Sequence, residues 1–106
     1  MELEERDYYN EKYEWISNLL LYFLEDTYYP ERKDEDTIAR FVEEMCSESI
    51  RDTLKEGREI LELQPFPHDW IGGVMNAGWK TDDACKKWVT WMIEALEEEG
   101  KKAGKL

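Results

Sequence analysis

The chain has 106 residues, 42% of them hydrophobic and 13% aromatic, with 26 acidic against 14 basic side chains and a formal net charge of -12. That length suits one domain with a single core of modest size, and the aromatic content argues against a disordered chain despite the charge. A field of this sign repels phosphate backbones, which disfavours direct nucleic-acid binding, and it attracts basic proteins.

The N-terminal MELEERDYYNEK carries no apolar core of the kind a secretory signal needs, so none is expected and a cytoplasmic location is. Glu2 to Asp7 is acid-rich, as suits the first turn of a helix. From Tyr8 onward, Tyr9, Tyr13, Ile16, Leu20, Phe23 and Leu24 recur at helical spacing, and Trp15, Leu19 and Tyr22 widen the stripe. One helix buried over much of its circumference is predicted, ending near Glu25 ahead of Thr27 to Tyr29 and Pro30. Its apolar run, Leu19 to Leu24, is too short to span a bilayer.

The connector Glu25 to Asp36 has more charge and more aromatic rings than a simple link requires. A second helix should open at Asp34 or Asp36, with Ile38, Phe41, Val42 and Met45 inward and Arg40, Glu43 and Glu44 outward. Ser47 reads as the N-cap of a third helix to about Leu63, with Ile50, Leu54 and Ile60 or Leu61 inward. Gly57 within it implies a bend or a closely packed neighbour. Two prolines in Gln64-Pro65-Phe66-Pro67 end that helix, and Pro67 starts a short one through Trp70, Ile71, Val74 and Met75. Thr81 is the expected N-cap of the last helix, with Asp82 and Asp83 in its first turn. That helix puts Cys85, Trp88, Val89, Met92, Ile93 and Leu96 on one face, Trp91 and Ala95 extend it, and GKKAGKL reads as a frayed basic tail. No strand-length alternation and no repeat is present. An all-α single compact domain of about five helices is expected.

Catalytic patterns are weak. His68 is the only histidine, and it lies beside Asp69 with no nucleophile or metal partner nearby in sequence. Cys46 and Cys85 lack a CxxC spacing and read as reduced core thiols, and with His68 they form no recognisable zinc spacing. The ferritin-like Glu-x-x-His pair is absent. Glu11-x-x-Glu14 and Glu31-x-x-Asp34 mimic the magnesium motif of all-helical nucleotide pyrophosphohydrolases, but Glu31 and Asp34 fall in a loop. No phosphate-binding glycine loop, nucleophile elbow or triad spacing occurs. No cofactor or metal is therefore expected, and the chain is not expected to be an enzyme.

Tyr28 and Tyr29 stand out because they fall in a charged loop, where tyrosine can anchor an interface; the ordinary alternative is that one packs back onto the helix pair. Glu43, Glu44, Glu48, Asp52, Glu56 and Glu59 continue the acidity at helical spacing. Such a run is commonly only a solvated face, but next to the tyrosine loop it also suits a basic partner.

Three segments carry a resemblance: Tyr22-Phe23-Leu24-Glu25-Asp26, Asp36-Thr37-Ile38-Ala39-Arg40-Phe41-Val42-Glu43-Glu44, and Trp88-Val89-Thr90-Trp91-Met92-Ile93. In that order the chain resembles the small helical immunity proteins of bacterial contact-dependent growth inhibition systems; Phe66 to Trp79 matches nothing in them. The resemblance implies a cytoplasmic, non-enzymatic antidote that binds one cognate toxin domain, typically a nuclease with a basic cleft (an RNase is favoured). Composition agrees independently, since carboxylates can occupy a cleft built for phosphates. Asp26, Tyr28, Tyr29, Glu31, Asp34, Asp36, Glu43 and Glu44 are the expected toxin-binding residues. The alternatives are a magnesium-dependent nucleotide hydrolase using Glu11, Glu14, Glu31 and Asp34, or an acidic nucleic-acid mimic.

Overall fold

The computed structural model describes residues 3–106, so Met1 and the predicted first-turn residue Glu2 lie outside the described residues. Six helices run in the order α1 (Leu3–Lys12), α2 (Glu14–Asp26), α3 (Asp34–Glu44), α4 (Ser47–Leu61), α5 (His68–Met75) and α6 (Asp82–Lys102), and no strand occurs among the described residues. The extra helix comes from a break in the first one. Tyr13 leaves helical geometry at φ -119° and ψ 52°, and the Glu56 carboxylate of α4 accepts the backbone N–H groups of Trp15 and Ile16 at 3.0 and 3.1 Å. A helix start needs such acceptors, and here one arrives from another helix. No local sequence pattern announces that.

The core matches the predicted stripes closely. Tyr13, Ile16, Leu19, Leu20 and Phe23 of the first stripe are buried, as are Ile38, Phe41, Val42, Ile50, Leu54, Ile60, Val89, Met92, Ile93 and Leu96. Tyr9, the first residue of that stripe, is partly buried against the core, while its neighbour Tyr8 is 53% exposed. Gly57 has the close neighbour its position implied. A Cβ there would run into Ile93 Cδ1 and lie 2.9 Å from its Cγ1 and 3.3 Å from Ile16 Cδ1, so α4 packs against α2 and α6 with no room for a side chain unless Ile93 shifts.

Phe66 to Trp79, which the resemblance leaves unmatched, closes the base of the core. Trp70 is 1% exposed and donates its indole N–H to Asn10 Oδ1 of α1 at 2.8 Å, satisfying its one polar atom. Tyr9 and Tyr13 pack around it, with centroids 5.3 and 6.3 Å from its ring. The predicted cap of the last helix is present, Thr81 Oγ1 accepting Ala84 N–H at 3.1 Å.

Two boundary expectations change. Cys46, not Ser47, is the N-cap of α4, and it is exposed instead of in the core. The basic tail expected to fray is docked. α6 continues through Lys102, Gly104 turns the chain at φ 72°, and Leu106 folds back against Gly100. Lys105 Nζ then donates to the carbonyls of Val42, Glu43 and Met45 at 2.6, 3.1 and 2.8 Å, completing the C-terminus of α3. Among the described residues no helix is long and apolar enough to cross a membrane.

Candidate functional site

The connector between α2 and α3 is short and ordered by its own backbone. Tyr28 and Tyr29 donate to the carbonyls of Glu25 and Asp26 at 3.2 and 3.0 Å. Arg32 then donates to the Tyr29 carbonyl at 2.9 Å, a tight turn with Pro30 at the position its fixed φ favours. Asp36 finishes the link. Its carboxylate accepts the Lys33 N–H at 2.9 Å, so it acts at the third helical position and not as the N-cap.

Beneath this loop sits Asp26. It is 8% exposed and receives Thr37 Oγ1 at 2.6 Å on one oxygen and Arg32 Nη1 and Arg40 Nη2 at 2.7 and 2.9 Å on the other. Burial pushes this carboxyl up, but the hydrogen bonds from Thr37 and Arg32 and the charge of Arg40 outweigh it and hold it below the ordinary range. Arg40, expected on the outer face, turns inward. Its guanidinium stacks over Tyr22 at 4.5 Å and also reaches Glu25 and Glu44 at 3.6 and 3.7 Å. Its Nε is buried without a hydrogen-bond partner among the described residues, the local cost of a guanidinium turned toward Asp26.

The expected toxin-binding residues therefore divide. Asp26 is a buried strut and presents nothing to a partner, a correction to its expected role as a contact. Tyr28 is 79% exposed, and Tyr29 is 42% exposed with the Arg32 guanidinium 4.0 Å above its ring. Neither tyrosine packs back into the core. Glu31, Asp34 and Asp36 are exposed around them. Glu43 and Glu44 are exposed too, but at the far end of α3, about 15 Å along its axis from Asp34. Glu44 is held there by Tyr22, whose hydroxyl donates to it at 3.1 Å. The acids thus form an edge along α3, not one patch.

Other acids serve the fold. Glu56, expected on the solvated face, is half-buried as the cap of α2. The magnesium constellation does not assemble. Glu14 opens α2 and the connector follows its other end, a separation of about 18 Å along the axis, so Glu11 and Glu14 cannot face Glu31 and Asp34 across one pocket. Among the described residues no group of three His, Cys, Asp or Glu side chains is placed to hold a metal ion. His68 has acquired partners the sequence did not show: Nε2 lies 3.1 Å from Asp69, and Nδ1 pairs closely with Asp82. The Asp82 contact ties the start of α5 to the start of α6. Cys85 is buried and its thiol is pushed up to about 12, chiefly by that burial, which leaves it unreactive.

Trp88 and Trp91, read from the sequence as inward-facing, do pack against the core, but at its edge, where each stays partly accessible. Trp88 packs edge-on against Phe23 at 4.9 Å and points its indole N–H toward Asp34 at 3.4 Å, and Trp91 follows 6.2 Å further on. The available signal was an indole surplus: Trp79, Trp88 and Trp91 together are more than one end of a small core can enclose. Set against protein-family models, curated proteins and solved structures, the chain matches none.

Proposed function

We propose that this chain is an immunity-type inhibitor that binds a basic toxin domain one-to-one and blocks its active cleft, with an RNase the favoured toxin. The observation that carries the reading is the connector itself. It presents a tyrosine 79% exposed among Glu31, Asp34 and Asp36, on a loop held from below by the Asp26–Arg32–Arg40–Thr37 network. A large side chain on a braced backbone binds without the further cost of ordering the loop that carries it. The surrounding carboxylates steer a basic partner toward it and compete for contacts that a nucleic-acid phosphate would otherwise make. Inhibition of this kind needs no cofactor and no bond-making step.

The test is genetic and physical together. A basic domain encoded immediately upstream should be toxic when produced alone in bacteria, be neutralised by co-production of this chain, and co-purify with it. Survival of toxicity in the presence of the chain, with no complex on gel filtration, would overturn the proposal.

A further inference from the structure

The braced loop is not the only acidic and aromatic surface. Between α3 and α6 runs a groove whose floor is Ile38, Trp91 and Ala95 and whose rim is Glu35, Glu98 and Glu99. Ile38 is buried, Trp91 and Ala95 are partly buried, and Glu35 and Glu98 are exposed. Trp91 is held in place from behind, since its ring packs on Trp88 and Trp88 packs on Phe23 of the core. Ala95, one turn further along α6, leaves the notch beside the indole unfilled. The one basic residue of the lining, Lys102, is already paired with Glu98 at 3.4 Å.

This fold twice combines an aromatic face, carboxylates and a guanidinium. Arg32 lies 4.0 Å over Tyr29 while bonded to Asp26, and Arg40 lies 4.5 Å over Tyr22 while reaching Glu25, Asp26 and Glu44. The α3–α6 groove has the aromatic face and the carboxylates, but among the described residues no lysine or arginine lies over the Trp91 ring. We infer that this groove receives an arginine side chain from the basic partner, its guanidinium stacked on Trp91 and paired with Glu35 and Glu98 or Glu99. Arginine suits the site better than lysine, because a planar, weakly hydrated cation can stack on an indole and hydrogen-bond two carboxylates in one geometry. The groove opens beside Asp34 and Trp88, so one partner could cover it and the tyrosine loop together. The inference rests on the reading that the partner is basic.

The probe is a hexa-arginine peptide, with hexa-lysine as its comparison, titrated at low salt while the tryptophan indole N–H signals are followed by two-dimensional NMR. Hexa-arginine should move the Trp91 indole signal and bind more tightly than hexa-lysine. Glu35→Gln with Glu98→Gln should weaken it about tenfold. Glu11→Gln with Glu62→Gln, which removes the same net charge from other exposed sites, should leave binding nearly unchanged. Trp91→Leu, which keeps apolar bulk without the indole face, should abolish the preference for arginine over lysine. Equal weakening by the two glutamine pairs, or shifts confined to the connector, would overturn the inference and leave only a diffuse acidic field. The peptide readout is independent of toxin neutralisation: if the upstream domain proves unrelated while hexa-arginine still seats on Trp91, the groove stands and the immunity reading falls.

Discussion

Asp26 shows how one side chain at a helix end can brace the loop that follows it. Its carboxylate is 7% exposed and carries two guanidinium groups and a hydroxyl, so removing its charge strands Arg32 and Arg40 beside a polar void. Asp26→Asn should destabilise the fold by about 2–3 kcal/mol in urea denaturation. The sign of the acid dependence follows from its lowered titration. The contribution is present above the ordinary aspartate value of 3.8 and is lost as pH falls through the lower native value. The Asn variant should lack that part of the acid transition, and a parallel acid transition in parent and variant would contradict the assignment. The cysteines make a second test at this scale. Cys46 is exposed and its thiol is lowered, first by the hydrogen bond with Ser49 at 3.2 Å, whereas Cys85 is buried and raised to about 12. Native protein treated with iodoacetamide at mildly alkaline pH should take up one equivalent, mapped by mass spectrometry to Cys46. Ser49→Ala should shift the pH dependence of that reaction upward.

At the scale of elements, the break at Tyr13 and the docking of Lys105 express one rule: a helix end left without local partners is completed by a side chain from elsewhere. Glu56 does this for α2. Burial raises its carboxyl above the ordinary range, while the N–H groups of Ile16 and Trp15 pull it down without overcoming that. A carboxyl held up in the native state contributes fully below the unfolded value of 4.5 and less as pH rises through the native value. Glu56→Gln keeps a carbonyl acceptor and removes the buried charge, so at neutral pH it should match or exceed the parent in thermal stability. Glu56→Ala loses the cap and should fall about 1–2 kcal/mol below the parent at neutral pH. If both variants lose equally, the carboxylate charge and not the acceptor holds the junction.

At the scale of the whole molecule, the proposed inhibitor role divides the work of binding between the surplus of acids and the braced tyrosine. On that proposal, acids exposed along α3 would act at long range, on the rate of encounter, and Tyr28 at contact, on the lifetime of the complex. Against the proposed toxin domain, Glu43→Lys should slow association and make it less sensitive to salt with little change in dissociation. Tyr28→Ala should leave association nearly unchanged and speed dissociation by tenfold or more. Surface plasmon resonance over a salt series separates the two. If Glu43→Lys changes neither rate, the partner docks away from this edge of α3.

Much of the architecture was legible in the chain. The spacing of Ile16, Leu20 and Phe23, of Ile38, Phe41 and Val42, and of Val89, Met92 and Ile93 predicts helices and their buried faces, because helical periodicity and burial are local properties of consecutive residues. Thr81, with Asp82 and Asp83 behind it, announces a helix start for the same reason. Net charge and residue spacing likewise need no fold, and the net charge of -12 is the observation from which the proposed basic partner starts. Other roles depend on residues far apart in sequence. Asp26 and Arg40, Glu56 and Ile16, and Lys105 and Val42 are joined only when helices pack, so a chain reading leaves Asp26, Arg40 and Glu56 on the surface and Lys105 in a frayed end. The α3–α6 groove is of the same kind. Ile38 and Trp91 read as core on their own stripes, and only the packing of two helices decides that the indole sits at the core's edge with carboxylates around it.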